Sequence, residues 1–371
     1  MNIKTTKRGN VVMKTDAENK FISIFNKSTG KYIRSGIIEN GIDTGVDPFM
    51  CAMPELIDIG VMGHCIHGKT GLCIKSGVQC YQNGLGQVEP NMTVEQFNSI
   101  MEQIEDYTYQ VALGGRGDVN KHEDFEGILK SCVEHGIIPN YTTSGLDLTE
   151  EEVALTKKYC GAVAVSEYRN EYTRKAIKMF IDAGIKTNIH YVLGNNSIDE
   201  AIDKLKNNGF DKGINAVIFL LHKPVGLGTI DNVISIDDPK YQEFISLIDG
   251  KTYDFAIGFD SCNIPGLVNE TKRLNHDSFD TCEAARWSCY ITSDMKMLPC
   301  SFDNQDLRWA VDLNTHTIKE AWDSEAFENF RDHFRNSCPS CKNRLECMGG
   351  CPIKREIVLC NKEEKQLFLG R

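Results

Sequence analysis

Six short apolar runs alternate with amphipathic stretches between residues 57 and 221, and that alternation leaves few folds open. Ile57–Val61, Gln110–Leu113, Ile138–Tyr141, Ala162–Ser166, Thr187–Leu193 and Ala216–Leu221 read as buried strands. Between them, Val94–Ile104, Phe125–Glu134, Glu150–Lys158, Arg174–Ala183 and Ile198–Asn207 carry helical periodicity. Thr149 with Glu152 makes a capping box, and Gly136 and Gly184 stand where helices stop. Repeated strand–helix units dictate a parallel sheet, open or closed into a barrel. In a barrel, chemistry gathers where the strands end. Ahead of this region, Phe21–Asn26 and Tyr32–Arg34 around Ser28-Thr29-Gly30 predict a hairpin with no catalytic content. Near Phe255 the alternation stops.

Beyond it lie cysteines at metal-ligand spacing. Cys338-x2-Cys341, Cys347, Gly349-Gly350-Cys351 and Cys360 form the dense part, with Cys282 and Cys300 further back. A Cys-x2-Cys turn presents two thiolates to one metal, and the Gly-Gly pair lets the backbone close around a bulky core. Soft thiolates in this number suit two iron–sulfur clusters, or one to two zinc ions. The chain has 371 residues and 15 cysteines, without the short length or apolar leader of a disulfide scaffold. A reducing cytoplasm is the expected home. No run reaches the ~18 apolar residues of a membrane span. The formal charge of −11 argues against a general nucleic-acid binder.

A second cysteine group follows the first barrel-like strand. Leu56–Met62 runs into Gly63-His64-Cys65, and Cys73 and Cys80 follow on one loop. Three thiolates on a post-strand loop can hold three irons of a four-iron cluster and leave the fourth open to substrate. Cys51, which precedes the strand, is the rival ligand.

These features together resemble the radical S-adenosylmethionine (SAM) enzymes that carry a C-terminal SPASM domain. Cys282, Cys300, Cys338, Cys341, Cys347, Cys351 and Cys360 follow that domain's seven-cysteine order. Ile318–Ser324 with Phe327 and Arg331 resembles its helix, and Met295 stands where the family has Gly. The resemblance implies a partial (β/α)6 TIM-like barrel over 50–254, an iron–sulfur SPASM domain over 255–371 and an N-terminal hairpin extension over 1–49. Cys65, Cys73 and Cys80 depart from the family's Cys-x3-Cys-x2-Cys, being spaced x7 and x6. Longer loops still close, because closure entropy grows only logarithmically.

The resemblance also implies a SAM site. Gly114-Gly115-Arg116 stands where the family has Gly-Gly-Glu, so the methionine ammonium falls to backbone carbonyls or to Asp118. Ser144, in Thr143-Ser144-Gly145, matches a Thr-Asn-Gly segment. Ser166, Glu167 and Arg169 match the segment that contacts the ribose and the methionine carboxylate; a bidentate clamp suits Arg169. With Cys262 as eighth ligand, Cys262, Cys282, Cys300 and Cys351 would hold one auxiliary [4Fe-4S] cluster. Cys338, Cys341, Cys347 and Cys360 would hold the other, making three clusters in all; His276 is an alternative ligand. Cys132, Cys160 and Cys289 are expected to pack as small hydrophobes.

By the same resemblance, reductive SAM cleavage gives a 5′-deoxyadenosyl radical that abstracts hydrogen from a peptide or protein, with the auxiliary clusters moving electrons. Asp303, His190 and His222 are the acid–base candidates, each with a buried structural role as its alternative. Ser301 replaces the acid that sulfatase-maturing relatives carry after the cysteine equivalent to Cys300. A flavodoxin- or ferredoxin-type reductant is expected, with no membrane or nucleic-acid partner. The length before the barrel is too short for a separate leader-recognition domain. Two other readings are radical chemistry on a small molecule and a non-catalytic zinc or iron–sulfur protein.

Overall fold

The computed structural model describes residues 3–75, 77–86 and 88–360. It opens on a four-stranded antiparallel sheet, β1 (Ile3–Arg8), β2 (Val11–Asp16), β3 (Phe21–Asn26) and β4 (Lys31–Arg34), then a short ladder of β5 (Ile38–Glu39) and β6 (Ile42–Asp43). The predicted hairpin is therefore the second half of a meander. Its inner face is partly polar. Lys14 donates to the Tyr107 carbonyl, and Ser23 and Tyr32 both bond the buried Glu55 carboxylate. Phe21 meets Trp287 edge-on at 5.3 Å, and Phe25 packs on Tyr109.

The meander lies over the start of the barrel strands. Glu55 and Tyr109 each precede a strand, and so do Gly136, which accepts from Lys27, and Lys186, which donates to Thr29.

Seven parallel strands follow: β7 (Leu56–Met62), β8 (Gln110–Gly115), β9 (Ile138–Thr143), β10 (Ala162–Ser166), β11 (Thr187–Leu193), β12 (Ala216–Leu221) and β13 (Ala256–Phe259). The first six are the predicted runs. The seventh arrives after helix Pro239–Gly250, where the periodicity no longer shows it. Residues facing the helices, such as Ile57, Val111, Val165, Ile189 and Val217, are fully buried, each contributing about 2 kcal/mol of apolar transfer. Thr93/Gln96 and Thr149/Glu152 cap two of the helices in closed capping boxes, worth ~1 kcal/mol each. On the other side of each strand, half-buried Asp58, Asn140, Thr142, Ser166, Asn188 and His190 line a polar interior.

β14 (Ser288–Ile291) adds in parallel to the free side of β7, and β15 (Lys296–Leu298) and β16 (Val311–Asp312) extend it antiparallel. One ten-stranded sheet thus runs β13 to β16 with β7 inside it. Met295 turns β14 into β15 with φ 63° while its side chain is buried; packing holds a conformation that glycine would adopt without strain. Trp322 and Arg331 of the C-terminal helices are fully buried, and Arg331 donates to the carbonyls of Ala285 and Trp322.

Candidate active site at the barrel mouth

β7 delivers Cys65 directly to the C-terminal end of the sheet. Helices Ile66–Thr70 and Leu72–Lys75 then carry the chain to Cys73, and an irregular stretch leads to Cys80. The three thiols lie near one another. Burial raises the Cys73 thiol to about 12, with the charges of Cys65, Asp118 and Cys80 adding to it. Burial likewise raises Cys65, against backbone N–H groups of Gly68 and His67 that favour its thiolate.

Close backbone approaches clasp this loop at both ends. A Cβ on Gly117 would stand 2.7 Å from the His64 carbonyl, and one on Gly226 would stand 2.7 Å from the Cys80 carbonyl. Leu227 N–H also donates to that carbonyl at 2.9 Å.

Beneath the loop sits a buried polar network drawn from three strand ends. The Asp118 carboxylate lies 2.9 Å from His67 Nε2 and accepts from Ser144 N–H at 2.8 Å and Ser144 Oγ at 2.5 Å. Sequence spacing gives no sign of His67, which enters only because the loop folds over β8 and β9. Both Asp118 oxygens are engaged, so the ammonium role expected of it competes with a structural one. Gly115 has φ 114° and its Cα packs where a Cβ would stand 2.5 Å from the Met62 carbonyl, whereas a Cβ on Gly114 would meet nothing within 4 Å. Tyr168 is half-buried near Cys73, Asp118 and Cys80, and burial followed by their charges raises its hydroxyl.

At the end of β10, Glu167 is buried. Its Oε2 pairs with Lys204 at 3.3 Å, and its Oε1 has no hydrogen-bond partner. An orphaned buried acceptor is costly unless a donor arrives from a ligand. Arg169 takes φ 60° and pairs with Glu200, with Nη2 3.3 Å from the Tyr191 hydroxyl. Its guanidinium is thus already engaged. Arg116, replacing the expected acid, reaches the Gly63 carbonyl at 3.5 Å, and its buried Nε lacks a partner.

The acid–base candidates separate. His190 faces the interior, 3.4 Å from Thr142 Oγ1, and burial lowers it to about 4 against the pull of Asp260. His222 Nε2 lies 3.0 Å from the Thr229 carbonyl, bracing the loop after β12. Asp303 spends its carboxylate on the backbone N–H groups of Arg308 (3.2 Å) and Trp309 (3.0 Å).

A cavity of about 600 Å³ opens between β7, β13 and β14, lined by Cys262, Cys282, Cys300 and Cys351 among others. These are the four thiols grouped above. Cys262 hydrogen-bonds Cys351, and burial and neighbouring thiols raise Cys282 to about 12. Burial works to lower the Lys223 ammonium, but Asp260, Cys262 and Cys351 together hold it above its ordinary value. Its Nζ pairs with Asp260 and lies 4.6 Å from the Phe302 ring centre. Asp58 enters the same cavity; burial alone raises its carboxyl to about 7. Glu283 is likewise raised to about 7, by burial and by the charges of Asp280 and Asp58.

The remaining four thiols gather separately: burial, then the charges of Cys338, Cys341 and Cys360, raise Cys347 to about 11. Gly349 and Gly350 take φ 80° and 75° before Cys351. Ring nitrogens of His276 lie 3.0 Å from Thr271 Oγ1 and 3.3 Å from Glu346. Cys51, Cys132 and Cys289 are buried in the core, and Cys160 packs half-buried against it.

Among the described residues no three His, Cys, Asp or Glu side chains converge on one ion-sized point.

The two cysteine groups are tied together. Tyr81, next to Cys80, packs at 4.7 Å and a 43° tilt on Phe302, two residues past Cys300, while Gln82 bonds Asn304 and lies 3.4 Å from the Tyr290 hydroxyl.

The parallel partial barrel with cysteines at its mouth resembles solved structures over nearly its whole length, and its cysteine-rich end matches a family model. Residues 282–348 match the SPASM family, an iron–sulfur cluster-binding domain. Streptococcus suis SuiB bound to the precursor peptide SuiA superposes with TM-score 0.70 at 15% identity, covering 98% of this chain and 100% of that one. SuiB bound to S-adenosylmethionine gives 0.69, also at 15%. A third solved structure, anSMEcpe with bound AdoMet and the Cp18Cys peptide, gives 0.57 at 16%, covering 82% and 90%. No curated protein matches the sequence.

Proposed function

We propose that this chain is a radical SAM enzyme that abstracts hydrogen from a peptide or protein substrate. The observation that carries the reading is the convergence of Cys65, Cys73 and Cys80 at the strand ends, above the Asp118–His67–Ser144 network and close to Tyr168. Bound at those thiolates, a four-iron cluster with SAM would supply reductive cleavage to methionine and a 5′-deoxyadenosyl radical.

The chain's own residues do the rest. Glu167 reaches the ribose hydroxyls only by turning away from Lys204, and the backbone at Gly114 and Gly115 receives the methionine end. Ser166 and Tyr168 line the space between them. Asp118 and Ser144 hold the loop through His67 rather than contacting the cofactor. Arg169 takes up the methionine carboxylate only by leaving Glu200. Cys262, Cys282, Cys300 and Cys351, beside the Lys223 cation, hold one auxiliary cluster, and Cys338, Cys341, Cys347 and Cys360 hold the other. A peptide substrate is supported by solved relatives of this fold that hold a precursor peptide or a substrate peptide. We place the enzyme in the cytoplasm with a flavodoxin- or ferredoxin-type reductant; among the described residues no helix is long and apolar enough to cross a membrane.

The test is anaerobic reconstitution followed by dithionite-dependent 5′-deoxyadenosine production. The parent chain is expected to produce it, and the Cys65→Ala/Cys73→Ala/Cys80→Ala variant to lose it together with about four of ~12 irons. Bound zinc in place of iron would sink the reading.

A further inference from the structure

Arg116 is a half-buried cation at the barrel mouth that no carboxylate among the described residues answers. Its charged neighbours are spoken for. Arg169 pairs with Glu200, Lys204 with Glu167 and Lys223 with Asp260. Asp118, two residues on, is committed to His67 and Ser144. Arg116 itself reaches the Gly63 carbonyl with Nη1 at 3.5 Å, and its buried Nε has no partner. The Nε–Nη2 edge, the fork that a carboxylate matches with two parallel bonds, therefore makes no hydrogen bond. A guanidinium keeps its charge in any protein environment, and half-burying it without a counter-charge is costly.

The backbone fixes where this side chain starts. Arg116 N–H donates to the Met62 carbonyl at 2.8 Å, and the glycines on either side are pressed against Met62 and His64. From there the guanidinium extends across the end of β7 towards Tyr290 of β14. Burial raises the Tyr290 hydroxyl, and the Arg116 charge works against that rise. Gln82 donates to the Tyr290 oxygen at 3.4 Å, which leaves the hydroxyl proton for another acceptor. Tyr290 pairs in register with Asp58 and lines the cavity of Cys262, Cys282, Cys300 and Cys351. Arg116 thus stands between the mouth thiols and that cavity. A molecule that reacts at the first and passes an electron to the second lies in the same place.

We propose that Arg116 sets substrate specificity: its Nε–Nη2 edge receives the side-chain carboxylate of an aspartate or glutamate in the peptide, at or beside the residue that reacts. The inference rests on the peptide reading of the function. Charge balance favours the peptide as the source. Three thiolates on a doubly positive four-iron core carry one net negative charge, and SAM, with its sulfonium, ammonium and carboxylate, carries one net positive charge. The two cancel, Arg116 is left over, and the compensating anion comes with the substrate. Two charge-assisted bonds hold the peptide at one distance from the mouth, while a lysine at that position is rejected by like charge.

The first experiment needs no variant. The cluster-loaded chain, saturated with SAM, is treated with phenylglyoxal, which modifies accessible guanidinium groups. Modification of Arg116 is followed by mass spectrometry of the digest, with the exposed Arg8 as internal reference. Saturating acetyl-Ala-Glu-Ala amide is expected to slow modification of Arg116 by about fivefold or more. The Gln and Lys counterparts should leave it unchanged, and Arg8 should respond to none of them. Charge reversal adds a change of sign. Fluorescent versions of the peptides should bind the SAM-loaded parent with Glu favoured over Lys by about tenfold, and Arg116→Glu with Lys favoured over Glu. If Arg116→Glu loads less iron than the parent, the labelling experiment decides alone.

Equal protection by the Glu and Gln peptides, or protection by neither, overturns the proposal. So does protection by SAM alone that decarboxylated SAM fails to give, which would assign Arg116 to the cofactor's own carboxylate. A Glu preference that survives in iron-loaded Arg116→Glu does the same. Absent protection alongside intact 5′-deoxyadenosine formation discards the carboxylate site and leaves the radical reading standing. Absence of 5′-deoxyadenosine from the iron-loaded parent strikes the radical reading, and this proposal with it.

Discussion

The cysteines at the barrel mouth and those around the cavity beside β14 are set in different surroundings. Cys65, Cys73 and Cys80 stand on a long loop with little regular structure, pinned at Gly117 and Gly226 and from beneath by Asp118. Cys262, Cys282, Cys300 and Cys351 surround a cavity against β7 and β14, with a buried cation, Lys223, between the two regions. The mouth is arranged for access by a ligand that must come and go. In the proposed reading the cavity holds a group that stays, since a buried anionic cluster there would need the fixed counter-charge that Lys223 supplies. Direct docking of Tyr81 on Phe302 keeps the two at a defined separation.

Six substitutions test that contrast. The sharpest compares Cys65→Ala with Cys351→Ala in the loaded protein. The first should cut 5′-deoxyadenosine formation by at least ~10³-fold, because an orienting ligand of the reacting group is removed. The second should leave that formation within about threefold while abolishing product and costing stability.

Next is Lys223→Met. It strands the Asp260 carboxylate, now paired with Lys223 and accepting from Asn263 at 2.6 Å, and should lower unfolding free energy by about 3 kcal/mol. Anaerobic denaturant titration measures it. A neutral outcome would remove the counter-charge argument.

Asp118→Asn keeps the shape but weakens charged hydrogen bonds to His67 and Ser144, each worth about 1.5–3 kcal/mol. SAM cleavage should fall roughly 10–100-fold, with iron lost from the mouth alone and the cavity cluster's spectrum unmoved.

pH sharpens the comparison from the cavity side. The Asp58 carboxyl is raised from 3.8 to about 7 in the fold, so the folded state holds a proton that the unfolded chain releases. Its linkage leaves stability intact below pH 4, lowers it as pH climbs to about 7, and levels off above. Asp58→Asn should flatten that slope and raise stability at pH 8 by on the order of 1 kcal/mol, with no gain near pH 4, as read by thermal melts.

The smallest effect is expected of Tyr81→Leu, which loses a ring pair worth about 1 kcal/mol. A melt shift of a few degrees with slower electron delivery from the cavity to the mouth would support the docking of the two loops.

How far the sequence carried the fold depended on which face of each strand was apolar. β7 to β12 were legible because helices bury one side of them completely. β2 was not, because its inward residues are Val12, Lys14 and Asp16 while Val11 and Met13 point out; the alternation is present with its meaning reversed. β13 is short and its first residue is exposed. The cysteine groups were suggested by spacing together with resemblance, and the fold brings Cys262, Cys282, Cys300 and Cys351 to one cavity. His67, Lys223, Asp58 and Glu283 were not, since each joins a site only through contacts between distant segments, and nothing in a linear pattern marks a carboxylate that will face a cavity. Asp303 and His222 looked reactive by position, yet their polar atoms hold backbone groups in place.

The position of β7 also bears on how the molecule is made. One of its edges is covered by β8, a near neighbour in the chain, but the other waits for β14, where Ile57 meets Cys289. Until the ribosome has passed that point, a strand reading Leu-Ile-Asp-Ile-Gly-Val-Met stands with an unpaired edge, the kind of template on which nascent chains aggregate. Such distant pairing is slow to form. The barrel that presents the Cys65 loop therefore reaches its final shape only after the cysteine-rich end exists, and assembly of the metal centres falls late, on a chain already committed to its fold.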